Sequence, residues 1–339
     1  MKLIIQIPCL NEEETLPDTI ADLPRAVEGF DCVELMVIDD GSTDRTVEVA
    51  ETLGVDHIVR MNGNQGLARA FVAGMVAAVE QGADVIVNTD ADNQYDARDV
   101  DTLVAPILKR EADMVIGCRP ISEIKHFSPV KRLLQSLGSR VVRTISGTRV
   151  SDAPSGFRAV TADTALRLNV FSGFTYTIET IIQAGLSNLR VVSVPIRVNG
   201  PTRPSRLFQS TVGYVFRNVM TMLSAYGVYR PTTVFGLFAV LFFLAGGYLA
   251  VRWYVLTQLG IGHGHVQSVI ASGVLGMCAL FMFCLGVVAH LLGINRRLLE
   301  EIRYLEHSRR RETRHPGNAD SAGPASSNDA RELIEVGER

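Results

Sequence analysis

The stretch DVIVNTDADNQ, residues 84–94, joins a short apolar run to a cluster of acidic and amide side chains. The unbroken apolar run predicts a buried β-strand, and the Asp- and Asn-rich residues after it predict a turn. Asp90, Asp92 and Gln94 alternate, so an extended segment would project them to one side, where their oxygens suit a hard divalent cation. The alternative is an acidic loop closed by its own side-chain turns. In both cases the stretch predicts a strand with a polar cluster at its end.

The same pattern of apolar run, polar turn and helical stretch recurs from Met1 to about Gly117. Strands are predicted at Leu3–Ile7, Glu34–Ile38, His57–Arg60, Asp84–Thr89 and Asp113–Ile116. Helices are predicted between them, at Glu13–Val27, Arg45–Leu53, Gln65–Gln81 and Asp99–Arg110. This alternation predicts an α/β fold with helices on both faces of a mostly parallel sheet. In such sheets, ligands bind beyond the carboxyl ends of the strands.

Two more polar clusters follow predicted strands. Residues 8–11 follow the first strand, and DDGSTD, residues 39–44, follows the second. The last residues of DDGSTD are typical of a cap for the helix near Arg45. Asp39 and Asp40 need another explanation, because adjacent carboxylates repel each other and require donors or a cation. We therefore expect the clusters to meet at one edge of the sheet.

Composition excludes several classes of protein. The chain has 339 residues, enough for one large domain or two modest ones, and a net charge of −3. Its five cysteines form no CxxC pair and have no histidine cluster beside them, which argues against disulfides and zinc. The N-terminal apolar stretch is too short for a signal peptide, so the N-terminal half is expected in the cytoplasm. Basic residues lie beside apolar sequence instead of forming a polar stripe, so no nucleic-acid partner is expected.

Two long apolar runs follow in the second half. Val234–Val251 has no charged residue and extends to Leu256 if Arg252 snorkels to the interface, and Val266–Ile294 is also uncharged. Each is long enough to span a membrane, although a helix hairpin buried in a soluble protein is the alternative. The connecting residues Thr257–Gln267 contain no Lys or Arg, whereas arginines flank both outer ends. The positive-inside rule then predicts an integral membrane protein with both termini in the cytoplasm.

The remaining segments complete the expected organisation. Residues near 129–146 and at 206–230 mix basic with apolar side chains, so each is predicted as a helix on the membrane surface; a core helix is the alternative. The expected domains are an α/β domain at 1–205, the second surface helix at 206–230, two spans at 231–295 and a cytoplasmic tail at 296–339. The composition of the tail is typical of a largely disordered segment.

In order and spacing, four motifs of the first half resemble glycosyltransferase family 2. They are PCLNEEETL (8–16), VIDDGSTDRT (37–46), NQGLARAFVAG (64–74) and NTDADNQ (88–94). Within that family, the chain is most similar to the polyprenol-phosphate glycosyltransferases of the dolichol-phosphate mannose synthase group. The later motifs of that group appear here as DAPSGFR (152–158) and RPSRL (203–207). RPSRL departs from the usual pattern, since it lacks a glycine and has Arg206 where lysine is usual, which changes a point contact with phosphate to a fork.

The resemblance covers about residues 3–295 and implies a GT-A fold, a nucleotide-sugar donor, a polyprenyl phosphate acceptor (undecaprenyl or dolichyl) and Mg²⁺ or Mn²⁺ as cofactor. It implies that the nucleoside and nearby donor groups are bound by Pro8, Asn11, Glu12, Asp39 and Asp40. The cation is implied at Asp90, Asp92 and Gln94, with Asp92 central to catalysis. Lipid phosphate is implied at Arg119 and Arg132, and donor diphosphate at Arg203, Ser205 and Arg206. Membrane lipids and a second copy of the chain are the other expected partners.

Two roles are open for Glu179, which lies in the segment GFTYTIE (173–179). In relatives that glycosylate a hydroxyl, an acidic residue near this point acts as a general base. A phosphate monoester has a second pKa of about 6 and is largely ionised near pH 7, so it needs no strong base. Glu179 would then position the sugar or a basic neighbour. A hydroxyl acceptor and a non-catalytic sugar-nucleotide sensor stay open as alternatives.

Overall fold

The computed structural model describes residues 1–120, 129–170, 176–199, 227, 231–260 and 266–314. Its centre is a seven-stranded sheet with the order β3-β2-β1-β4-β6-β5-β7. The strands are β1 (Lys2–Cys9), β2 (Cys32–Asp39), β3 (His57–Arg60), β4 (Val85–Asn88), β5 (Met114–Cys118), β6 (Arg158–Thr161) and β7 (Val191–Pro195). The helices are α1 (Leu16–Asp22), α2 (Thr46–Thr52), α3 (Leu67–Glu80), α4 (Val100–Leu108), α5 (Pro129–Ser146), α6 (Ala162–Arg167), α7 (Thr177–Leu186), α8 (Pro231–Gln258) and α9 (Val266–Arg314).

The sheet is mostly parallel, which confirms the predicted fold class. Strands β3, β2, β1 and β4 pair in parallel, and so do β5 and β7. Strand β6 lies antiparallel between β4 and β5, so the sheet is mixed. Neither β6 nor β7 was predicted, because both are short and the alternation of the first half had ended. The carboxyl ends of β1, β2, β4 and β5 share one edge, where the polar clusters lie.

Both faces of the sheet are covered by helices. In β1, Ile4 packs on one side with Phe71 of α3, whereas Leu3 and Ile5 pack on the other side with Leu103 of α4. Successive strand residues point to opposite faces, so a strand buried on both faces must be apolar throughout. Burying each such side chain contributes about 1.5–3 kcal/mol. This burial explains why the strands read as unbroken apolar runs.

The first helix is shorter than predicted. The sequence predicts Glu13–Val27, but α1 ends at Asp22 and Leu23 is extended, with ψ 135°. Pro24 is the reason, because the ring of a proline disfavours the helical conformation of the residue before it. The other three predicted helices agree with α2, α3 and α4 to within a few residues at each end.

The two apolar runs form α8 and α9, which pack against each other. Both helices are long and apolar enough to cross a membrane, and only 6% and 11% of their most apolar windows are buried. Such exposure is unlike the core helix of a soluble protein. At their contact, the Ser272 hydroxyl donates to the Gly246 carbonyl at 2.9 Å, and Gly246 lets Leu275 approach closely.

The predicted domain limits differ from the helices at one place. A largely disordered tail was expected from residue 296, but α9 continues to Arg314. Residues 295–314 contain neither glycine nor proline, and the helix-breaking Pro316 comes later. A helix lies at Pro129–Ser146, where a surface helix was predicted, and its membrane location stays a prediction. The second surface helix, at 206–230, lies outside the described residues except for position 227.

Candidate active site

The loops after β1 and β2 are held together by side chain–backbone hydrogen bonds. Asn11 has a left-handed backbone with φ 56°, and its Oδ1 accepts from the backbone N–H of Thr43 at 2.8 Å. The Asn11 N–H in turn donates to Ser42 Oγ at 3.0 Å. Asp39 is 6% exposed, and its Oδ1 accepts from the Ser42 N–H at 2.9 Å. The two loops therefore form one preformed wall at the carboxyl edge of the sheet.

Asp40 ties this wall to the start of α3. Its two carboxylate oxygens accept from the backbone N–H groups of Gln65 and Gly66, at 2.7 and 2.8 Å. These donors offset the repulsion between the adjacent side chains of Asp40 and Asp39. Gly41 follows with φ 81°, and a Cβ there would lie 2.6 Å from the backbone of Gly63. The contact of Asp40 with substrate stays a prediction, since these bonds give it a role in the loop.

Pro8 and Glu12 also lie at this wall. Pro8 was expected after the first strand but lies within β1, which continues to Cys9. The Glu12 N–H donates to Thr46 Oγ1 at 2.8 Å, and its carboxylate accepts from Thr15 Oγ1 at 2.7 Å. Glu12 thus braces the starts of α1 and α2.

The acidic cluster is a turn and not an extended segment. The chain turns at Ala91 and Asp92, and Asn93 is left-handed with φ 53°. Asp92 Oδ1 accepts from the Gln94 N–H at 3.2 Å, which is the side-chain turn that asparagine and aspartate favour. The argument from alternation along an extended segment is therefore wrong. Convergence of the side chains depends on the turn instead.

The electrostatics of the cluster favour a cation. Burial raises the pKa of Asp90, and the neighbouring charge of Asp92 raises that pKa further, whereas Arg119 lowers it. Two carboxylates that repel each other in this way gain from a shared positive charge. Their oxygens, with the amide oxygen of Gln94, fit Mg²⁺ or Mn²⁺. Among the described residues no three His, Cys, Asp or Glu side chains are grouped as metal ligands, so donor phosphate oxygens or water would have to complete the coordination.

The Tyr95 side chain is hydrogen-bonded to this cluster and to the 152–158 loop. Its hydroxyl accepts from the Gly156 N–H at 3.0 Å, and a hydrogen bond from the same side chain lowers the pKa of Asp90. The Tyr95 ring stacks on Phe157 with the ring centroids 5.2 Å apart. A Cβ at Gly156 would lie 2.9 Å from the Asp90 carboxylate, so this position needs a glycine. The loop of residues 152–158 is thus packed directly beneath Asp90.

The same loop holds Arg119. Arg119 Nε and Nη2 donate to the two oxygens of Asp152, at 2.7 and 3.0 Å. The Asp152 side chain is 0% exposed and that of Arg119 is 17% exposed. Burial by itself would lower the pKa of Arg119, but Tyr95 and Asp152 raise it above its ordinary value. Arg119 is therefore a positive charge held in place just beyond β5, and its contact with lipid phosphate stays a prediction.

Arg158 links this loop to α7. It is 1% exposed, and its Nη1 donates to Thr180 Oγ1 at 2.7 Å and to the Thr177 carbonyl at 3.3 Å. Its guanidinium lies 5.1 Å from the ring centroid of Tyr176, whose hydroxyl accepts from Asn88 Nδ2 at 3.0 Å. Burial lowers the pKa of Arg158. The first turn of α7 is in this way bound to the end of β4.

The predicted Glu179 lies in that first turn and is 5% exposed. Arg132 lies on α5, where the structure describes the backbone but not this side chain. Arg203, Ser205 and Arg206 lie outside the described residues.

Three supporting residues had no role in the sequence analysis. They are Tyr95, Asp152 and Arg158. The last two stand in the DAPSGFR motif, and a charged residue at each end of a motif was the signal available for them. Tyr95 gave no signal, because only its partners, Gly156 and Asp90, show what its hydroxyl does.

Comparison with known proteins agrees with this fold. The model of Glycosyl transferase family 2 matches residues 4–162. The chain is 30% identical over 230 residues to the undecaprenyl-phosphate mannosyltransferase of Micrococcus luteus, covering 65% of this chain and 93% of that protein. It is also 30% identical over 237 residues to the dolichol-phosphate mannosyltransferase of Pyrococcus furiosus, covering 66% of this chain and 64% of that protein.

A solved structure shares the fold. It is the glucosyl-3-phosphoglycerate synthase of Mycobacterium tuberculosis, in complex with Mn²⁺, UDP and its product. The TM-score is 0.53 with 22% identity, over 67% of this chain and 80% of that one. The chain therefore belongs to glycosyltransferase family 2, has the GT-A fold and is a glycosyltransferase.

Proposed function

We propose that this protein transfers a sugar from a UDP- or GDP-sugar to polyprenyl phosphate at the cytoplasmic face of the membrane. The observation that carries the proposal is an acidic, cation-favouring turn at Asp90 and Asp92 in a chain that also has two exposed apolar helices. The relatives from Micrococcus luteus and Pyrococcus furiosus, named for undecaprenyl and dolichol phosphate, support the acceptor class. The acceptor of such a reaction is held in the bilayer, and the donor is soluble.

The donor occupies the wall formed by the first two loops. Asp39 and Asn11 hold the nucleoside, because they lie where the carboxyl ends of β1 and β2 meet. Pro8 and Glu12 shape the same wall, and Asp40 fixes the loop that closes it. A nucleotide binds here without a large rearrangement, since the backbone is already ordered by these bonds.

The diphosphate of the donor lies beside the acidic turn. Asp90, Asp92 and Gln94 would hold Mg²⁺ or Mn²⁺, which when bound neutralises the charge on the leaving nucleoside diphosphate. Arg203, Ser205 and Arg206 would contact the diphosphate as well, as the resemblance of their motif implies. Tyr95 and the 152–158 loop keep Asp90 in place.

The acceptor phosphate is received by Arg119 and Arg132. One of its oxygens forms the new bond to the anomeric carbon, while the bond from that carbon to the donor phosphate breaks and its electron pair stays on the leaving oxygen. A single displacement of this kind inverts the configuration at that carbon. Glu179 positions the sugar or a basic neighbour, because the ionised phosphate has no proton that must be removed.

The membrane arrangement follows from the arginines that flank α8 and α9. Both termini and the catalytic domain lie in the cytoplasm, and the residues that join α8 to α9 lie on the opposite side of the membrane. Helix α5 and residues 206–230 lie on the membrane surface, near anionic lipid headgroups. A second copy of the chain pairs through α8 and α9.

The test is a transfer assay with the purified full-length protein, polyprenyl phosphate, a panel of UDP- and GDP-sugars and Mn²⁺ or Mg²⁺. We expect metal-dependent appearance of labelled sugar in the organic phase, abolished by Asp92→Ala and retained by Asp101→Ala. Asp101 is the matched control because it is an exposed aspartate on α4. The unphosphorylated polyprenol serves as the second acceptor.

Transfer to polyprenol but not to its phosphate would move the assignment to a hydroxyl acceptor. Donor binding without any turnover on either acceptor would make the protein a sugar-nucleotide sensor. Label released only as free sugar would also contradict the lipid-phosphate acceptor.

A further inference from the structure

Helix α9 continues well beyond its apolar run and returns to the catalytic domain. The uncharged run ends at Ile294, and the helix extends without glycine or proline to Arg314. At a rise of about 1.5 Å per residue, Tyr304 lies about 15 Å beyond Ile294 along the helix axis. This extension packs against α6 and α3. The apolar helix and the catalytic domain are thus joined by side-chain contacts in addition to the chain itself.

The contact is built around Tyr304. The Arg167 guanidinium lies 4.4 Å from the centroid of the Tyr304 ring, and Arg167 Nε donates to Asp163 Oδ2 at 2.8 Å. The Tyr304 hydroxyl donates to the other oxygen of Asp163. One residue earlier, Arg303 donates to the side-chain carbonyl of Asn169. The Tyr304 ring also packs against the core on that face of the sheet.

Further hydrogen bonds connect these residues to α7. The Asn169 N–H donates to Gln183 Oε1 at 2.8 Å, and Gln183 Nε2 donates to the Arg167 carbonyl at 3.1 Å. Gln183 lies one turn after Glu179 on α7, so both point from the same side of that helix. The first turn of α7 is bound by Arg158. Hydrogen bonds therefore link α9 through Asn169 and Gln183 to α7, the helix that carries Glu179.

We propose that Tyr304 and Arg303 are positioning residues that clamp the catalytic domain onto the extension of α9, and so hold the active site at a fixed height and tilt above the bilayer. This inference rests on the proposed function in one respect, namely that the acceptor is embedded in the membrane. A lipid-linked phosphate reaches only a narrow layer at the membrane surface. A catalytic domain held at the height of that layer meets the phosphate at a higher effective concentration than a domain joined to the membrane only by a flexible linker.

The clamp is distinct from the chemistry, because its residues contact neither the acidic turn nor Arg119 in the described structure. The proposal predicts that loss of the clamp affects the rates with two kinds of acceptor differently. Loss of the clamp lowers the rate with an acceptor in the bilayer, but it leaves the rate with a water-soluble acceptor unchanged, since a soluble acceptor reaches the site at any tilt.

The experiment uses the full chain in nanodiscs and compares long-chain polyprenyl phosphate in the bilayer with a short-chain, water-soluble isoprenyl phosphate. We expect Tyr304→Ala to lower kcat/KM for the bilayer acceptor about tenfold and to change that for the soluble acceptor less than about twofold. Tyr304→Phe, which keeps the ring beneath Arg167, should retain more activity than Tyr304→Ala. Leu305→Ala is the matched control, because the neighbouring Leu305 is 49% exposed. Equal losses with both acceptors, or no loss with either, would overturn the proposal.

A second readout needs no activity. Spin labels on the exposed Cys32, in the catalytic domain, and Cys284, in α9, report the distance between the two parts once Cys118 and Cys278 are replaced by serine. Tyr304→Ala should broaden the distance distribution, and Leu305→Ala should leave it unchanged. An unchanged distribution in Tyr304→Ala overturns the clamp. If no variant transfers sugar to either acceptor while the distribution still broadens, the clamp stands and the proposed function fails.

Discussion

Arg119 and Asp152 are 33 residues apart in the chain, yet they form a two-pronged ion pair at the centre of the site. The pair joins the end of β5 to the loop beneath Asp90. Asp152 is fully buried, so it orients the guanidinium and balances its charge at the same time. Arg119 thus stands just beyond β5 with its position already set.

Breaking this pair should be costly. Asp152→Asn leaves the partly buried Arg119 with only the neighbouring Asp90 as a counter-charge, and we expect the free energy of unfolding to fall by about 3 kcal/mol. Transfer activity should fall as well, because the guanidinium loses its orientation. Asp113→Asn is the control, since Asp113 makes a similar two-pronged pair with Arg190 where Arg190 is 55% exposed, and it should cost less than about 1 kcal/mol. Thermal and urea unfolding measure both; equal losses would contradict the importance of burial.

The acidic turn should control metal binding. We expect Asp92→Asn to weaken Mn²⁺ affinity, measured by paramagnetic resonance of free Mn²⁺ with nucleotide present, by at least about tenfold. The reason is the loss of one of two carboxylates that share the cation. Asp101→Asn, an exposed acid on α4, should bind Mn²⁺ like the unaltered protein. Unchanged Mn²⁺ affinity in Asp92→Asn would rule out the turn as the metal site.

Tyr95 should matter through its hydroxyl alone. Tyr95→Phe keeps the stack on Phe157 but leaves the buried Gly156 N–H without its acceptor, at a cost of about 1–3 kcal/mol. Asp90 also loses a hydrogen bond, so Mn²⁺ affinity should fall in parallel. Tyr254→Phe, at a position 59% exposed, is the control, and it should leave both the stability and the Mn²⁺ affinity unchanged. Stability and Mn²⁺ affinity that both match the unaltered protein would show that the hydroxyl is dispensable.

Gly41 should tolerate no side chain. Its φ of 81° would strain alanine by about 1–2 kcal/mol, and the new Cβ would also meet backbone atoms of Gly63 at 2.6 Å. We expect Gly41→Ala to abolish donor binding, measured by calorimetry. Gly54→Ala is the control for backbone strain without a clash, because Gly54 has φ 69° and nothing lies within 4 Å of its would-be Cβ. The free energies of unfolding of the two variants are also compared by thermal unfolding. Equal losses in Gly41→Ala and Gly54→Ala would show that the clash at Gly41 is unimportant.

Glu179 distinguishes the two acceptor classes. With polyprenyl phosphate, Glu179→Gln should lower activity by less than about 100-fold and leave the pH profile unchanged, because general-base catalysis is not needed. Gln keeps the shape of the buried side chain, so folding should survive. A larger loss, together with a pH profile that no longer rises on the acid side, would indicate a base and a hydroxyl acceptor.

The strand–turn–helix alternation and the two apolar helices were predictable, because burial imposes a periodicity that each segment shows by itself. Strand β3 was predicted to the residue, at His57–Arg60. Strand β6 was not, since a short antiparallel strand inserted between β4 and β5 has no local signature. The end of α1 could have been read from Pro24, which outweighs the helical pattern around it.

The candidate site, like the fold, was predictable from the sequence only in part. Sequence by itself determined which residue types stand at the strand ends, and so pointed to Asp39 and Asp90, whereas Arg119 was implied by the resemblance to glycosyltransferase family 2. Tertiary structure alone decided which contacts hold this region: Asp40 is bonded to the start of α3, and Asp152 is paired with Arg119. It also decided that Tyr304 docks on α6, away from the site. The physical reason is that apolar periodicity is a local property of the chain, whereas a hydrogen bond or an ion pair needs two partners that only folding brings together.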